Sequence, residues 1–470
     1  MQYDLRMLVD GELQHGSATM DVINPATEQV ITQCPRATPR DVERAVAAAK
    51  CAWPGWRDTP LAARKQVLLK IATALEQHAD ELGRLITLEQ GKPLAAAAME
   101  TFLSPAVLRY FAGFDFEPEI LQDDNQQRAE LHRRALGVVA AIVPWNFPFL
   151  MACYKLAPAL IAGNTFVLKP SPTTPLSALR LGEIIVDIVP PGVVNVVPDA
   201  GDIGPLLTAH PDVAKVSFTG STSTGRAIMK SASDTLKRLT LELGGNDAAI
   251  VLDDVDVKKV APRIFEMAFI NSGQVCMSIK RIYVQSGIYD AMCDELARLA
   301  CDAVVGDGLD PSTRFGPVQN KRQYESIKKV LKEAPKYGRV IAGGRAWGPG
   351  YFVAPTVIRD IDEGNPLVDE EVFGPVRSVL KFDTVDEAIA RANRSTYGLG
   401  ASVWTGDVEN GTRIATRLEA GSTWVNQHFA VAPHIPFGGV KQSGLGVEFS
   451  KEGLHEYTNP QSVVISKATV

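Results

Sequence analysis

The chain has 470 residues, of which 46% are hydrophobic and 22% are charged, and its formal net charge is -6. This composition is typical of a folded protein and excludes the low hydrophobicity and high charge of a disordered chain. The negative charge supplies no field that would attract nucleic acid or an anionic membrane, so we expect neither as a partner.

The first residues and the cysteines predict a cytoplasmic protein with reduced thiols. MQYDLRMLVDGEL lacks the basic and then apolar segments of a secretion signal, and no run of about 18 apolar residues follows. The six cysteines have neither the density nor the spacing of a disulfide framework. With the seven histidines they form no pattern typical of zinc ligands, so we expect no metal.

Two amphipathic helices are predicted early in the chain. The first begins at Thr38, a capping residue followed by an acid three positions later, and the second covers Ala62 to Glu89. From about Gly137 to Leu243, short valine- and isoleucine-rich runs alternate with helical patterns. This alternation predicts parallel strands connected by helices, as in a nucleotide-binding α/β domain.

A second α/β unit is predicted further along the chain, where KRIYVQ, PTVIRD and VRSVLKF alternate with helical patterns. The polar segment 118–134 and the β-rich tail 455–470 belong to neither unit. They are either arms that pair with another subunit or a surface hairpin and a frayed end, and their patterns leave both interpretations open.

One cysteine lies in a context that favours reactivity. Cys276 follows the turn residues of NSGQVC and precedes what looks like the beginning of a helix. A thiol at a helix N-terminus has a lowered pKa because the peptide dipoles stabilise the thiolate. The other five cysteines are interpreted as small buried hydrophobic residues. Cys276 is therefore a candidate nucleophile.

Three further stretches place polar groups at predicted strand ends. In LTLELGGND, Glu242 precedes two glycines that allow a ligand to approach the backbone. In AIVPWNFPF, two prolines stiffen the turn around Asn146, whose amide could stabilise an oxyanion. In FTGSTSTG, Ser221 begins a helix that could bind a pyrophosphate, although Arg226 replaces the lysine of a P-loop. Taken alone, each stretch is also compatible with an ordinary turn.

Taken in order, these motifs resemble those of the aldehyde dehydrogenase superfamily over nearly the entire chain. The matching stretches are PWNFPF, LKPSPTTP, FTGSTSTG, LELGGND, NSGQVC, EEVFGP and PFGGVKQSG. The resemblance implies an α/β fold that assembles into a homodimer or homotetramer. Its implied parts are a Rossmann-like NAD(P)-binding domain (1–117 and 135–243), an α/β catalytic domain (244–435) and small β oligomerisation arms (118–134 and 455–470).

The resemblance also implies the chemistry. Cys276 becomes the nucleophile, Glu242 the general base that activates water, and Asn146 the oxyanion donor together with the Cys276 amide. The implied reaction oxidises an aldehyde to a carboxylic acid with NAD(P)+ through a thiohemiacetal and a thioester on the cysteine. A CoA-acylating enzyme is the alternative within the family, and the presence of Glu242 disfavours it. Together the three residues also disfavour a non-catalytic protein on this fold.

NAD is the expected cofactor, with NADP tolerated. Members strict for NAD often carry a glutamate three residues after the lysine that binds the adenosine ribose, here Lys169. Pro172 occupies that place, which removes repulsion of a 2′-phosphate without adding a positive charge to attract it. The implied cofactor-binding residues are Ile142, Trp145, Lys169, Ser171, Gly201, Phe218, Gly220, Ser221, Leu243, Glu371 and Phe373.

The expected substrate pocket is apolar, and it contains no arginine that could bind a distal carboxylate. We therefore expect an uncharged aliphatic or aromatic aldehyde. A semialdehyde, such as succinate semialdehyde, is the alternative, since Lys280 or Arg281 could turn inward. The pocket residues suggested by position are Phe147, Phe149, Met151, Tyr154, Met277, Phe429 and Phe437.

Overall fold

A computed structural model describes residues 4–468. Residues 1–3 and 469–470, at the outer ends of the first predicted domain and the second predicted arm, lie outside the described residues. The helices of the described chain are α1 Pro39–Asp58, α2 Leu61–Gln77, α3 Ala79–Gln90, α4 Leu94–Ala112, α5 Pro148–Ile161, α6 Leu176–Ile185, α7 Gly204–Ala209, α8 Thr222–Ala232, α9 Val257–Phe269, α10 Tyr289–Cys301, α11 Lys321–Glu333, α12 Pro366–Asp369, α13 Val385–Asn393, α14 Val408–Ala415 and α15 Ser450–His455.

The strands belong to two large sheets and several small ones. In chain order they are β1 Met7–Val9, β2 Glu12–Gln14, β3 Thr19–Ile23, β4 Val30–Pro35, β5 Glu119–Asp123, β6 Gln127–Ala135, β7 Val138–Ile142, β8 Thr165–Lys169, β9 Val194–Val196, β10 Val213–Thr219, β11 Arg238–Glu242, β12 Asp247–Val251, β13 Ile279–Gln285, β14 Arg339–Ala342, β15 Ala346–Trp347, β16 Phe352–Val353, β17 Thr356–Arg359, β18 Val376–Phe382, β19 Tyr397–Gly398, β20 Gly400–Trp404, β21 Ser422–Val425, β22 Val440–Lys441, β23 Gly444–Leu445 and β24 Thr458–Ser466.

The predicted early helices form, with one difference. Thr38 caps α1, and its backbone and hydroxyl both donate to the Asp41 carboxylate. The single helix predicted over 62–89 is instead two helices, because His78 leaves the helical conformation between α2 and α3. The His78 ring lies 3.0 Å from the Glu81 carboxylate in the first turn of α3, which favours a new helix start there.

The first large sheet has the strand order β2-β1-β9-β8-β7-β10-β11-β23, and β7 to β11 are parallel. From β7 the chain builds outward through β8 and β9, and then crosses back to add β10 and β11 on the other side. The connections that leave the adjacent strands β7 and β10 therefore run toward opposite edges of the sheet. In open α/β sheets, ligands bind in the crevice at such a reversal, beyond the carboxyl ends of the strands.

The second large sheet has the order β14-β17-β18-β13-β12-β20-β21, in which only the β14–β17 pair is antiparallel. Alternate residues of its central strands enter two separate cores. Ile250 and Tyr283 belong to one core, whereas Val251 and Ile282 belong to the other. The sheet is thus buried on both faces, which explains the continuous apolar runs in its sequence.

The two segments outside these units pair with each other. The tail strand β24 lies antiparallel to β6 from Thr458 opposite Ala135 to Ser466 opposite Gln127, and β5 completes a three-stranded sheet. The tail is therefore a paired strand and not a frayed end. Both outer strands, β5 and β24, are largely exposed.

A late segment also returns to the first sheet. Strand β23 lies far beyond the second sheet in the sequence, yet it pairs antiparallel with β11, so that Gly444 lies opposite Glu242. Within residues 4–468, no helix combines the length and apolar character needed to cross a lipid bilayer.

Candidate active site

Cys276 lies in a turn between the two large sheets and does not begin a helix. The preceding segment Ile270–Gly273 is a short 3-10 element in which Asn271 and Ser272 have left-handed backbone angles, and β13 follows three residues after the cysteine. The predicted helix start is therefore wrong. Burial raises the pKa of the Cys276 thiol to about 12, which is opposite to the expected lowering.

A buried lysine holds the turn that carries this cysteine. The Lys280 ammonium donates to the carbonyls of Val275 and Cys276 at 2.8 and 2.5 Å. It also forms an ion pair with Glu371 at 3.2 Å, and the same Glu371 oxygen accepts from the Gly245 amide. Among the charges around the thiol, Lys280 acts to lower the pKa of Cys276, although burial outweighs it.

The Asn146 amide lies beside this turn. Its Nδ2 donates to the Gln274 carbonyl at 3.0 Å, while the backbone carbonyl of Asn146 accepts from Lys92 and Asn271. Among the described residues, the Cys276 amide donates to no protein acceptor. The Cys276 N–H and a side-chain amide fixed against the same turn are the kinds of donor that stabilise an oxyanion.

Glu242, the last residue of β11, is buried without a hydrogen-bond partner on either carboxylate oxygen among the described residues. Burial and the nearby Glu448 raise its pKa well above the usual value, and Lys155 acts in the opposite direction. Lys155 and Glu448 form a buried ion pair at 2.7 Å, and both bind the Ser217 hydroxyl. The Glu242 charge also acts on the Cys276 thiol, which links the two groups electrostatically.

Most predicted cofactor residues surround the crevice of the first sheet. Ser221 caps α8 and accepts a hydrogen bond from the Thr224 amide. The beginning of this helix also provides the partial positive charge that suits an anion. Trp145 contacts Phe373 of the second unit edge to face, at 5.3 Å between ring centroids. Nine of the predicted cofactor residues lie near the carboxyl ends of the parallel strands or in the loops that follow them. They are Ile142, Trp145, Lys169, Ser171, Gly201, Phe218, Gly220, Ser221 and Leu243.

The groups around this crevice fit a dinucleotide. Gly201 is exposed with a φ of +97°, and the nearest atom to a Cβ added there would be Pro172 Cγ at 4.0 Å, so the backbone is open to a ligand. Lys169 and Asp199 form a buried ion pair at 2.6 Å beside this loop. Open backbone, a helix start and an acidic group after a strand are features of a nucleotide site.

The residues predicted for the substrate pocket divide into two groups. Phe147 and Phe429 are half-buried with ring centroids 6.4 Å apart, and Tyr154 packs on Phe449 at 5.0 Å. Phe149, in contrast, is fully buried in the core of the first unit, so its assignment to the pocket is wrong. The remaining predicted residues are half-buried Met277 beside the nucleophile and the buried pair Met151 and Phe437.

Neither cation considered for a distal carboxylate is free to serve that purpose. The Arg281 guanidinium is buried and donates to the carbonyls of Asn246 and Ala392. The Lys280 ammonium is held by the backbone and Glu371, as described above. Neither side chain can therefore turn inward to bind the distal carboxylate of a semialdehyde substrate.

Comparison with known proteins agrees with this arrangement. The sequence model of the aldehyde dehydrogenase family matches residues 13–463. The chain belongs to the aldehyde dehydrogenase family. It is 42% identical to phenylacetaldehyde dehydrogenase of Pseudomonas fluorescens, with 98% of this chain and 96% of that protein covered. It is 39% identical to betaine aldehyde dehydrogenase of Rhizobium etli, with coverage of 98% and 97%.

Solved structures of aldehyde dehydrogenases share the fold. The NAD+ complex of the Bacillus cereus enzyme superposes with a TM-score of 0.96 at 36% identity, covering 99% of this chain and 97% of that one. The protein is thus an oxidoreductase with the α/β fold expected of the family, as the resemblance implied.

In this aldehyde dehydrogenase, buried charged residues that were not expected from the sequence surround the proposed catalytic groups. Lys155 stands alone in the apolar helix α5, and Lys92 forms a buried ion pair with Glu100 while donating to Asn146. A single lysine within an apolar helical run was the available signal, because a buried charge requires a partner. Glu448 carried no comparable signal, since its stretch is rich in glycine and polar residues.

Proposed function

We propose that this aldehyde dehydrogenase oxidises an uncharged aliphatic or aromatic aldehyde to the carboxylic acid with NAD+, through a thioester on Cys276. The observation that supports the proposal is that the Asn146 amide binds the turn that carries Cys276, while the Glu242 charge acts on the Cys276 thiol. The aromatic rings of Phe147 and Phe429 favour an apolar substrate. The name of the Pseudomonas relative, which specifies phenylacetaldehyde, supports the same substrate class.

The first step is attack of the Cys276 sulfur on the aldehyde carbon, which turns the carbonyl oxygen into an oxyanion. The Asn146 amide and the Cys276 N–H donate to this oxygen. Burial raises the pKa of the thiol, so the thiolate that attacks forms as the thiol proton passes to solvent water. Lys280 is the cation whose charge favours this thiolate.

The cofactor is assigned to the crevice of the first sheet. Lys169 would hold the adenosine ribose, and the start of α8 at Ser221 the pyrophosphate. When bound, NAD+ supplies the acceptor for the hydride that leaves the substrate carbon, so that a thioester remains on Cys276. The NAD+ complex of the Bacillus cereus relative supports this choice of cofactor.

Release of the acid requires water. Glu242 takes a proton from water as the water oxygen attacks the thioester carbon, and the C–S bond breaks to return the Cys276 thiolate. The presence of this carboxylate favours hydrolysis over transfer of the acyl group to CoA. Formation of acid from aldehyde and NAD+ without added CoA distinguishes the two reactions.

The direct test of the nucleophile is Cys276→Ser. We expect this variant to lose aldehyde oxidation while NAD+ binding remains nearly unchanged, because a serine hydroxyl is not ionised near neutral pH. Cys51 and Cys301 are exposed, so their interpretation as buried residues is wrong. Cys301→Ser is therefore a matched control and should retain activity. Substantial turnover by the Cys276 variant would show that another group is the nucleophile.

We also propose that the protein is a homodimer or homotetramer assembled through the arms 118–134 and 455–470. The three-stranded sheet of these segments leaves both outer strands exposed, including the apolar residues Ile120, Leu121, Val464 and Ile465. Exposed strand edges with apolar side chains are surfaces on which another copy can pair.

A further inference from the structure

Lys169 and Asp199 form a buried ion pair at the carboxyl edge of the first sheet. Lys169 is the last residue of β8, and Asp199 follows the neighbouring strand β9. The Asp199 Oδ1 atom lies 2.6 Å from the lysine Nζ, and the aspartate side chain has no exposed surface. The other carboxylate oxygen accepts from the Ile203 amide at 3.1 Å, which fixes the group.

The Oδ1 atom nevertheless keeps unused acceptor capacity. No hydrogen bond of good geometry reaches it from residues 4–468, although the lysine ammonium is close. That ammonium donates instead to the Pro170 carbonyl at 3.2 Å. A carboxylate oxygen can accept from more than one donor, so Oδ1 can accept from a ligand hydroxyl as well as from the ammonium.

The charges around this pair do not favour a phosphate. The Lys169 charge is balanced by Asp199, and the nearby Arg36 is paired with Asp202 at 2.6 Å. Pro172 adds no charge of its own, and Gly201 leaves the loop open. A second negative charge on the ligand would therefore meet a fixed carboxylate without a free cation to offset it.

We propose that Asp199 makes the enzyme selective for NAD+ over NADP+: its carboxylate accepts a hydrogen bond from the 2′-hydroxyl of the adenosine ribose and repels a 2′-phosphate. The inference rests on the proposed function, which assigns the ribose to Lys169. Acidic residues bind this hydroxyl in many dinucleotide-binding domains. Asp199 thus performs the discrimination that Pro172 cannot.

The test is Asp199→Asn, which keeps the side-chain size and the acceptor for the Ile203 amide but removes the charge. Binding of NAD+ and of NADP+ to the free enzyme is measured by isothermal titration calorimetry, and kcat/KM is measured for both with one aldehyde. We expect the NADP+ to NAD+ ratio to rise at least tenfold, mainly through tighter NADP+ binding. Asp187→Asn, an exposed aspartate just after α6, controls for net charge and should leave the ratio unchanged.

Two further variants keep the test decisive. If Asp199→Asn does not fold, Asp199→Ser removes the same charge with a smaller side chain and should shift the ratio in the same direction. Pro172→Glu, introduced into the Asp199→Asn enzyme, should restore the preference for NAD+ because it returns a carboxylate to the ribose.

The outcomes separate this inference from the proposed function. If wild type binds NAD+ and the ratio stays the same in Asp199→Asn, the inference is wrong while the cofactor assignment stands. Equal affinity of the wild type for both dinucleotides would also overturn it. Failure of the wild type to bind either dinucleotide would overturn the cofactor assignment itself.

Discussion

The Cys276 thiol and the Glu242 carboxyl both have a raised pKa, so each loses its proton less readily than an exposed group. Burial is the largest cause of the raised pKa at each, and the Glu242 charge further raises the pKa of the thiol. Lys280 is the cation that opposes this effect at the thiol. The reactivity of the cysteine therefore depends on one buried ammonium group and on pH.

The pH dependence of thiol alkylation tests this balance. In the free enzyme, the rate at which iodoacetamide modifies the Cys276 peptide should rise roughly tenfold per pH unit from pH 7 to 10 without a plateau, because only the thiolate reacts and burial raises its pKa to about 12. Lys280→Met should slow the reaction at every pH in this range, since it removes the charge that favours the thiolate.

Lys259→Met supplies the matched control for the alkylation experiment, because Lys259 is an exposed lysine in the first turn of α9. A plateau below pH 8 in the wild type would contradict the raised pKa. Equal rates in the Lys280 and Lys259 variants would contradict the electrostatic role of Lys280.

Glu242→Gln separates the two halves of the proposed reaction. The variant keeps the side-chain size but cannot take a proton from water, so the enzyme should stop as the acylated form. Rapid mixing with aldehyde and NAD+ should give a burst of NADH no larger than one per active site, followed by very slow turnover. Mass spectrometry should find the acyl group on the Cys276 peptide.

Two other results of that experiment would change the assignment. Absence of both burst and adduct, with NAD+ binding intact, would mean that Glu242 acts before the thioester forms, by accepting the thiol proton. Full steady-state activity would remove Glu242 from the mechanism.

Elements differ in how far their sequence predicts them. The strands β7, β8 and β10 were predictable because each is an apolar run that ends in turn residues, and Glu242 was placed correctly at a strand end for the same reason. The break between α2 and α3 at His78 was not predictable, since no glycine or proline marks it. The turn at Cys276 was also missed, because left-handed angles at Asn271 and Ser272 redirect the chain where the local pattern favours a helix.

Pairing between segments that are distant in sequence accounts for the other features that were not predicted. Strand β23 is two residues long, and its partner β11 lies about two hundred residues earlier, so no local pattern reveals it. The tail strand β24 was recognised as β-rich, but its partner β6 within the same chain was not.

The outer strand β24 provides a prediction about assembly. Val464→Asp places a charge at an exposed apolar position of this strand and should shift the protein toward monomers, measured by sedimentation velocity. Val408→Asp changes a similarly exposed valine on α14 and should leave the assembly state unchanged. An unaltered sedimentation coefficient for the Val464 variant, with the wild type an oligomer, would exclude this edge from the interface.

At the scale of the whole molecule, buried polar contacts join the end of the chain to the first unit. Lys155 of α5 pairs with Glu448, and Asn164 donates to the Tyr457 carbonyl. Each contact spans 293 residues of sequence and lies in the interior. They are therefore tertiary links on which the folded state as a whole depends.

Removing one partner of the Lys155–Glu448 pair should destabilise the protein strongly. We expect Lys155→Met to lower the free energy of unfolding in urea by about 3–5 kcal/mol, because Glu448 would remain buried without its cation. Adding Glu448→Gln should recover part of that loss. Lys441→Met breaks an ion pair with the half-exposed Glu419 and should cost no more than about 1 kcal/mol. Similar losses in both lysine variants would contradict this account.

The return of β23 to the first sheet has a consequence for synthesis on the ribosome. Domains generally fold as they emerge, amino end first, yet the edge of β11 that ends at Glu242 stays uncovered until residues 444–445 have been made. For some two hundred codons the nascent first unit would present an open strand edge, a surface on which chaperones or neighbouring nascent chains can act. The proposed general base is thus set in its final surroundings only as translation nears its end.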